Sequence, residues 1–161
     1  MSKNILLAGA SGLVGSNLLN ILLKKDSNLI LLSRKKVNTK KEIKQIITSF
    51  DELDQLDNKI PIDTVYIAIG KRLSLIELVY LKKKSRSSFE KVDFEYIKNI
   101  AAFAKRSGAK SLGLISAVGA NKNSLNTYLK VKGKTEEEIM SLGFEKVIIA
   151  RPGHLLGKRK N

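Results

Sequence analysis

A chain of 161 residues with 43% apolar content can bury one core and is too apolar to remain disordered. The absence of cysteine excludes a disulfide framework, a thiolate nucleophile and a zinc–thiolate site, and no apolar run approaches the ~18 residues of a membrane-spanning helix. Thirty Lys and Arg against 15 Asp and Glu give a net charge of +15, but these cations are scattered in pairs and triplets with no interleaved aromatics, so a lysine-rich solvated surface is favoured over nucleic-acid binding.

In chain order, short β-rich runs alternate with helical patterns. Asn4 to Ala8 (NILLA) reads as a buried strand. MSKNILLAGASGL has the faint outline of a secretion leader, but its apolar run stops at Ala10 and leads into glycines. An intracellular, cytoplasmic protein is therefore expected. Leu13 to Lys25 is a helix by its spacing of Leu13, Val14, Leu18, Leu19, Ile21 and Leu22. Strands are expected at Leu29–Ser33, Glu42–Phe50, Thr64–Ile69, Ser111–Ser116 and Lys146–Ala150, the last stopped by Pro152-Gly153. Helices are expected at Phe94–Arg106, closed by Ser107-Gly108, and at Leu125–Leu142, closed by Gly143. Leu73 to Ser88 has no readable pattern. The alternation predicts one α/β domain over residues 1–161: a doubly wound parallel sheet with helices on both faces, in three α/β/α layers.

GASGLVG, residues 9 to 15, follows the first strand and opens the first helix. Gly9 permits the tight turn, Gly12 lets backbone approach a pyrophosphate, and Gly15 lets the helix lie close to the sheet. The helix start presents free N–H groups and a positive dipole end to phosphate. The second strand ends Ser33-Arg34-Lys35-Lys36, where an NAD site would carry a carboxylate for the ribose 2′-hydroxyl. Arg34 can fork onto a 2′-phosphate and Lys35 adds charge. NADP(H) is the expected cofactor, ahead of NAD(H).

Two tyrosines have a lysine four residues on, Tyr80–Lys84 and Tyr128–Lys132, a spacing that puts both side chains on one helix face. An ammonium there would lower the phenol's pKa and make it a usable general acid. Tyr128 follows a strand end carrying Ser116, and strand carboxyl ends line the cofactor crevice. Tyr80 has no such serine and lies in an unreadable run, so Tyr128–Lys132 is the functional pair.

Ser116, Tyr128 and Lys132 match the Ser–Tyr–Lys site of the short-chain dehydrogenase/reductase superfamily, and GASGLVG resembles its atypical and extended branches. VDFEY, SAVGANKNS, YLKVKGKTE and RPGHLLGKR further resemble the Tat-interacting oxidoreductase family across nearly the whole chain. The resemblance implies hydride transfer between NADPH and a carbonyl, alcohol or nucleotide-sugar-like small molecule. Tyr128 would donate the proton, Lys132 would lower its pKa and hold the nicotinamide ribose, and Ser116 would orient the substrate oxygen. The implied cofactor-binding set is Gly9, Ser11, Gly12, Leu13, Val14 and Gly15 around the pyrophosphate, Arg34 and Lys35 at the adenosine phosphate, and Ala68, Ile69 and Gly70 along the riboses. Pro152 and Gly153 would sit near the carboxamide, and Tyr128 and Lys132 serve both sets. Asp93 stands where extended members often carry Asn, and Asn99 lies one and a half turns on. Relatives continue beyond the position of Asn161 with helices that wall the substrate pocket, so a homo-oligomer completing the pocket is one expectation. A weakly active or inactive NAD(P)-binding regulator or scaffold is the alternative function. His154 is assigned no role, Glu136, Glu137 and Glu138 are expected to be a solvated helix face, and no metal site is read.

Overall fold

A computed structural model describes residues 2–57, 59–71, 73, 77 and 83–153. Its six strands are β1 (Lys3–Ala8), β2 (Ser27–Ser33), β3 (Lys44–Ile47), β4 (Thr64–Ile67), β5 (Ser111–Ile115) and β6 (Lys146–Ala150). They form one parallel sheet in the order β3-β2-β1-β4-β5-β6. The order reverses between β1 and β4, where Ala8 pairs with Ile67, and ligands of such sheets bind beyond the strand ends at this switch point.

The helices are α1 (Leu13–Leu22), α2 (Lys83–Glu90), α3 (Tyr96–Arg106) and α4 (Thr127–Ser141), with a π-helical turn over Lys91–Glu95 between α2 and α3. Alternation in the strands explains the layers. Leu6, Ala8, Ile30, Leu32, Val65, Ile67, Leu112 and Leu114 face Ile97, Ile100, Ala101, Phe103 and Ala104 of α3 and Ile139 of α4. Ile5, Leu7 and Leu31 point the other way, onto Leu19 and Leu22 of α1. The continuous apolar runs of β1 and β2 are those of strands covered on both faces.

Several boundaries depart from the sequence reading. α1 ends at Leu22 rather than Lys25, because Lys24 and Lys25 N–H reach back three residues to Ile21 and Leu22 (3.2 and 3.0 Å), a tightened final turn. The third strand is Lys44–Ile47, and Phe50 leaves it to enter the core beside Leu53. α4 starts at Thr127, not Leu125: Asn126 caps it by accepting from Leu129 N–H at 3.1 Å. Leu125 lies outside, fully exposed.

Candidate active site

The β1–α1 turn is built by what its glycines lack. Gly9 has φ +94°, and a Cβ there would lie 2.6 Å from the Ala68 backbone, so β4's end can press against the turn only because Gly9 has no side chain. A Cβ on Gly15 would lie 2.0 Å from Gly9 O, so α1 rests directly on the turn. Gly12, the N-cap, brings no side-chain acceptor, and the first turn holds no acidic residue. Its N–H groups are thus left to an anion. Ser11 is exposed, and Leu13 and Val14 are half-buried in that first turn. Ala68 N–H donates to Ala8 O at 2.9 Å, which carries Ala68, Ile69 and Gly70 past the turn. This turn, packed so closely that Gly9 and Gly15 admit no Cβ, with free N–H groups at the start of α1, fits a dinucleotide pyrophosphate.

Arg34 is exposed at the end of β2, and its guanidinium stands 5.7 Å from the ring centroids of both Phe50 and Tyr96. Those rings meet edge to face at 5.4 Å. The nearby Asp51 carboxylate takes the Lys91 ammonium and the Tyr96 hydroxyl, each at 3.2 Å. Arg34 therefore rests on two aromatic faces and pairs with no carboxylate among the described residues, a cation placed and available. The aromatic platform was not legible in the sequence, since Phe50 lies in the run read as a strand and Tyr96 in a helix. Lys35 is exposed beside Arg34, in a turn fixed by Ser33 Oγ donating to Lys35 O at 2.8 Å.

At the other side of the crevice, Ser116 prolongs β5, its N–H donating to Ala150 O at 2.8 Å. Its hydroxyl is buried and makes no hydrogen bond within the described structure, a cost that a ligand oxygen would remove. Tyr128 and Lys132 lie one turn apart on α4, and the Tyr128 ring packs 5.5 Å from that of Phe89. The loop from Ser116 to α4 is bound down on the helix. A Cβ on Gly133 would fall 2.2 Å from Lys122 N, and Asn121 N–H donates to Leu129 O at 3.1 Å.

Lys132 is not the free cation that the sequence suggested. Its ammonium meets Asp93 Oδ1 at 2.8 Å, with side-chain exposures of 8% and 1%. Asp93 lies in the π-helical turn, and its Oδ2 accepts from Lys71 N–H at 2.7 Å. Burial raises the Asp93 carboxyl above its ordinary range, against the lowering by Lys132 and by the Lys71 N–H. Burial likewise pushes the Tyr128 phenol up, Lys132 pulls it down, and Asp93 raises it again. The net direction is upward, a correction to the expectation that Lys132 would leave it lowered. Asn99, the other candidate for the asparagine position, turns away and donates to Phe50 O at 3.0 Å.

Pro152 continues the pairing beyond β6, its carbonyl accepting from Val118 N–H at 3.1 Å; Gly153 is exposed, with nothing within 4 Å of a Cβ built on it. Tyr80 and His154 lie outside the described residues. Of the α4 glutamates, Glu136 departs from the expected solvated face, while Glu137 is exposed and Glu138 half-buried. Glu136 is buried and takes Arg151 through Nε and Nη2 at 3.0 and 2.5 Å. Glu137 pairs with Lys122 and Glu138 with Lys98, so three consecutive carboxylates are spent on three different neighbours.

Residues 9–161 match a family model described as NAD(P)H-binding. The mitochondrial protein FMP52 of Candida albicans is 32% identical over 94% of this chain and 67% of its own length. The protein HTATIP2 of Rattus norvegicus is 30% identical over 99% of this chain and 65% of its own. Among solved structures, a Thermotoga maritima UDP-glucose 4-epimerase with UDP-glucose superposes with a TM-score of 0.74 at 14% identity, over 98% of this chain and 58% of that one. MoeE5 in complex with UDP-glucose and NAD superposes with a TM-score of 0.71 at 17% identity, over 92% and 53%. The chain thus spans little more than half the length of these structures, which share its fold. FMP52 relatives from Candida albicans, Kluyveromyces lactis and Debaryomyces hansenii are named mitochondrial, which overturns the cytoplasmic expectation.

Proposed function

The chain belongs to the NAD(P)H-binding family, in the atypical short-chain dehydrogenase/reductase group of the FMP52 and HTATIP2 proteins, and on that premise we propose that it is an NADP(H)-dependent oxidoreductase acting on a small carbonyl or carbinol. The observation that carries the chemistry is Ser116, whose hydroxyl is sealed from solvent at a strand end with no protein partner among the described residues. A substrate oxygen between Ser116 and Tyr128 would satisfy that hydroxyl and receive a proton from the phenol. When bound, a reduced nicotinamide supplies the hydride. Tyr128 delivers the proton and regains it from solvent, while Ser116 holds the oxygen in line. Gly9, Gly12 and the first turn of α1 hold the pyrophosphate; Arg34, seated on Phe50 and Tyr96, selects the 2′-phosphate. Solved neighbours with nucleotide sugars make that substrate class a reasonable member of a screening panel.

The test is a fluorescence titration with NADPH and NADH, followed by a panel of aldehydes, ketones and nucleotide sugars. NADPH should bind more tightly than NADH, and at least one carbonyl should oxidise it. Tyr128→Phe should abolish that oxidation and leave binding intact. Binding without turnover on the whole panel, the same in Tyr128→Phe, would favour the NAD(P)-binding regulator instead.

A further inference from the structure

Asp93 stands where three elements meet, and nothing in the reaction outlined above uses it. The π-helical turn inserts one residue ahead of α3, and this carboxylate ends 1% exposed. Both oxygens are committed, Oδ1 to the Lys132 ammonium at 2.8 Å and Oδ2 to Lys71 N–H at 2.7 Å. The Asp93 carbonyl accepts from the Thr135 hydroxyl at 2.7 Å, which ties the turn itself to α4. A carboxylate held at both oxygens, on a backbone tied to α4, cannot swing away from the ammonium, and burial leaves little solvent to screen the pair.

We propose that Asp93 is a positioning residue that neutralises Lys132 and so keeps Tyr128 in its proton-donating form, making this chain a carbonyl reductase across the neutral range and a carbinol dehydrogenase only in alkali. This rests on the oxidoreductase reading above. The groups around Tyr128 support it. Lys132 comes from its own helix and Asp93 from the π-helical turn. Lys71, after β4, has its ammonium on Ser88 Oγ and Ser85 O. Arg86 of α2 donates to Thr127 Oγ1 at 3.1 Å. Phe89 and Phe94, packed in the same cluster, are apolar. A lone ammonium beside a half-buried phenol would draw its proton off; an ammonium cancelled by a carboxylate leaves burial to decide, and burial favours the neutral phenol. Reduction consumes that proton together with the hydride, and the phenolate then recovers one from solvent. Oxidation must begin from phenolate, so its rate climbs with pH until the phenol has titrated.

The experiment follows the Tyr128 titration directly in the full chain by carbon NMR of ζ-labelled tyrosine, the signal being assigned by its loss in Tyr128→Phe. Asp93→Asn keeps the shape and one of the two acceptor oxygens but removes the charge. It should move the Tyr128 midpoint down by roughly one pH unit, about tenfold in acidity constant. The double variant Asp93→Asn with Lys132→Met should return to within about 0.3 unit of wild type, because both opposing charges are gone. A midpoint in Asp93→Asn that stays put or rises overturns the proposal, as does a double variant about a unit or more above wild type. If Asp93→Asn alone does not fold, the double variant, which strands no buried charge, decides by itself. NADPH binding by the wild-type chain is measured separately: its failure would sink the oxidoreductase reading and leave the influence of Asp93 on the phenol intact.

Discussion

Gly15→Ala sets two opposing effects against each other in one substitution. Alanine inside a helix gains about 1 kcal/mol over glycine, so α1 taken alone would favour the change. Against this, the new Cβ would lie 2.0 Å from Gly9 O and 2.6 Å from Gly9 C, where real Cβ atoms keep 3.0 Å or more. The obstructing atoms are backbone. The turn cannot back away either, because Gly9 already rests on the Ala68 and Ile69 backbone. Overpacking against such an immobile wall belongs at the upper end of the usual cost, about 3 kcal/mol. The net loss is then ~2 kcal/mol, which at a urea m-value of about 2 kcal/mol/M lowers the unfolding midpoint by roughly 1 M. Gly143→Ala is the control: nothing lies within 4 Å of its Cβ and only φ +72° opposes it, at about 1 kcal/mol. Gly15→Ala should also weaken NADPH binding, whereas Gly143→Ala should not. An unchanged or higher midpoint for Gly15→Ala, at unchanged m, would refute the close seating of α1 on the turn.

Further outcomes can be checked alongside it. Arg34→Ala should weaken NADPH binding by about tenfold or more, a lost charge-assisted contact of at least ~1.4 kcal/mol, and leave NADH unaffected; equal losses for both would refute 2′-phosphate recognition. Because the folded-state pKa of Asp93 is raised, the native protein holds that proton more tightly than the unfolded chain. Its contribution is therefore complete below the ordinary carboxylate range and fades as pH climbs through the raised value. Wild type should accordingly lose stability relative to Asp93→Asn as pH rises across that window, and a difference that is flat or of opposite slope in paired denaturation curves would contradict the assignment. Arg151→Ala, which strands the buried Glu136, should destabilise more than Glu136→Gln, which leaves an exposed cation; the reverse order in urea would mean that Glu136 is satisfied without its partner.

The layered fold was legible because β1 and β2 are apolar at nearly every position and the helices are not, a contrast that survives in a single sequence. GASGLVG was legible for a related reason: glycines carry backbone geometry in their identity. Asp93 was visible only as an oddity, a carboxylate where asparagine was expected, because nothing in VDFEY marks a shift from α- to π-helical hydrogen bonding. Its pairing with Lys132 spans 39 residues (132 minus 93), a separation on which periodicity is silent. Glu136 escaped for the same reason: three consecutive glutamates look solvated until Arg151, Lys122 and Lys98 arrive from elsewhere in the fold. The Arg34 platform joins residues from three segments, and only the folded chain assembles it.

The absent side chain of Gly133 lets the Asn121–Lys122 backbone press onto the helix like a bolt in its socket, so the span between the serine and the tyrosine behaves as a strut rather than a hinge. Whatever opens to admit a reactant must therefore be some other part of the molecule. A single residue inserted between positions 117 and 126 would either spring that bolt or be absorbed at the outward corners of Val118 and Leu125, both exposed.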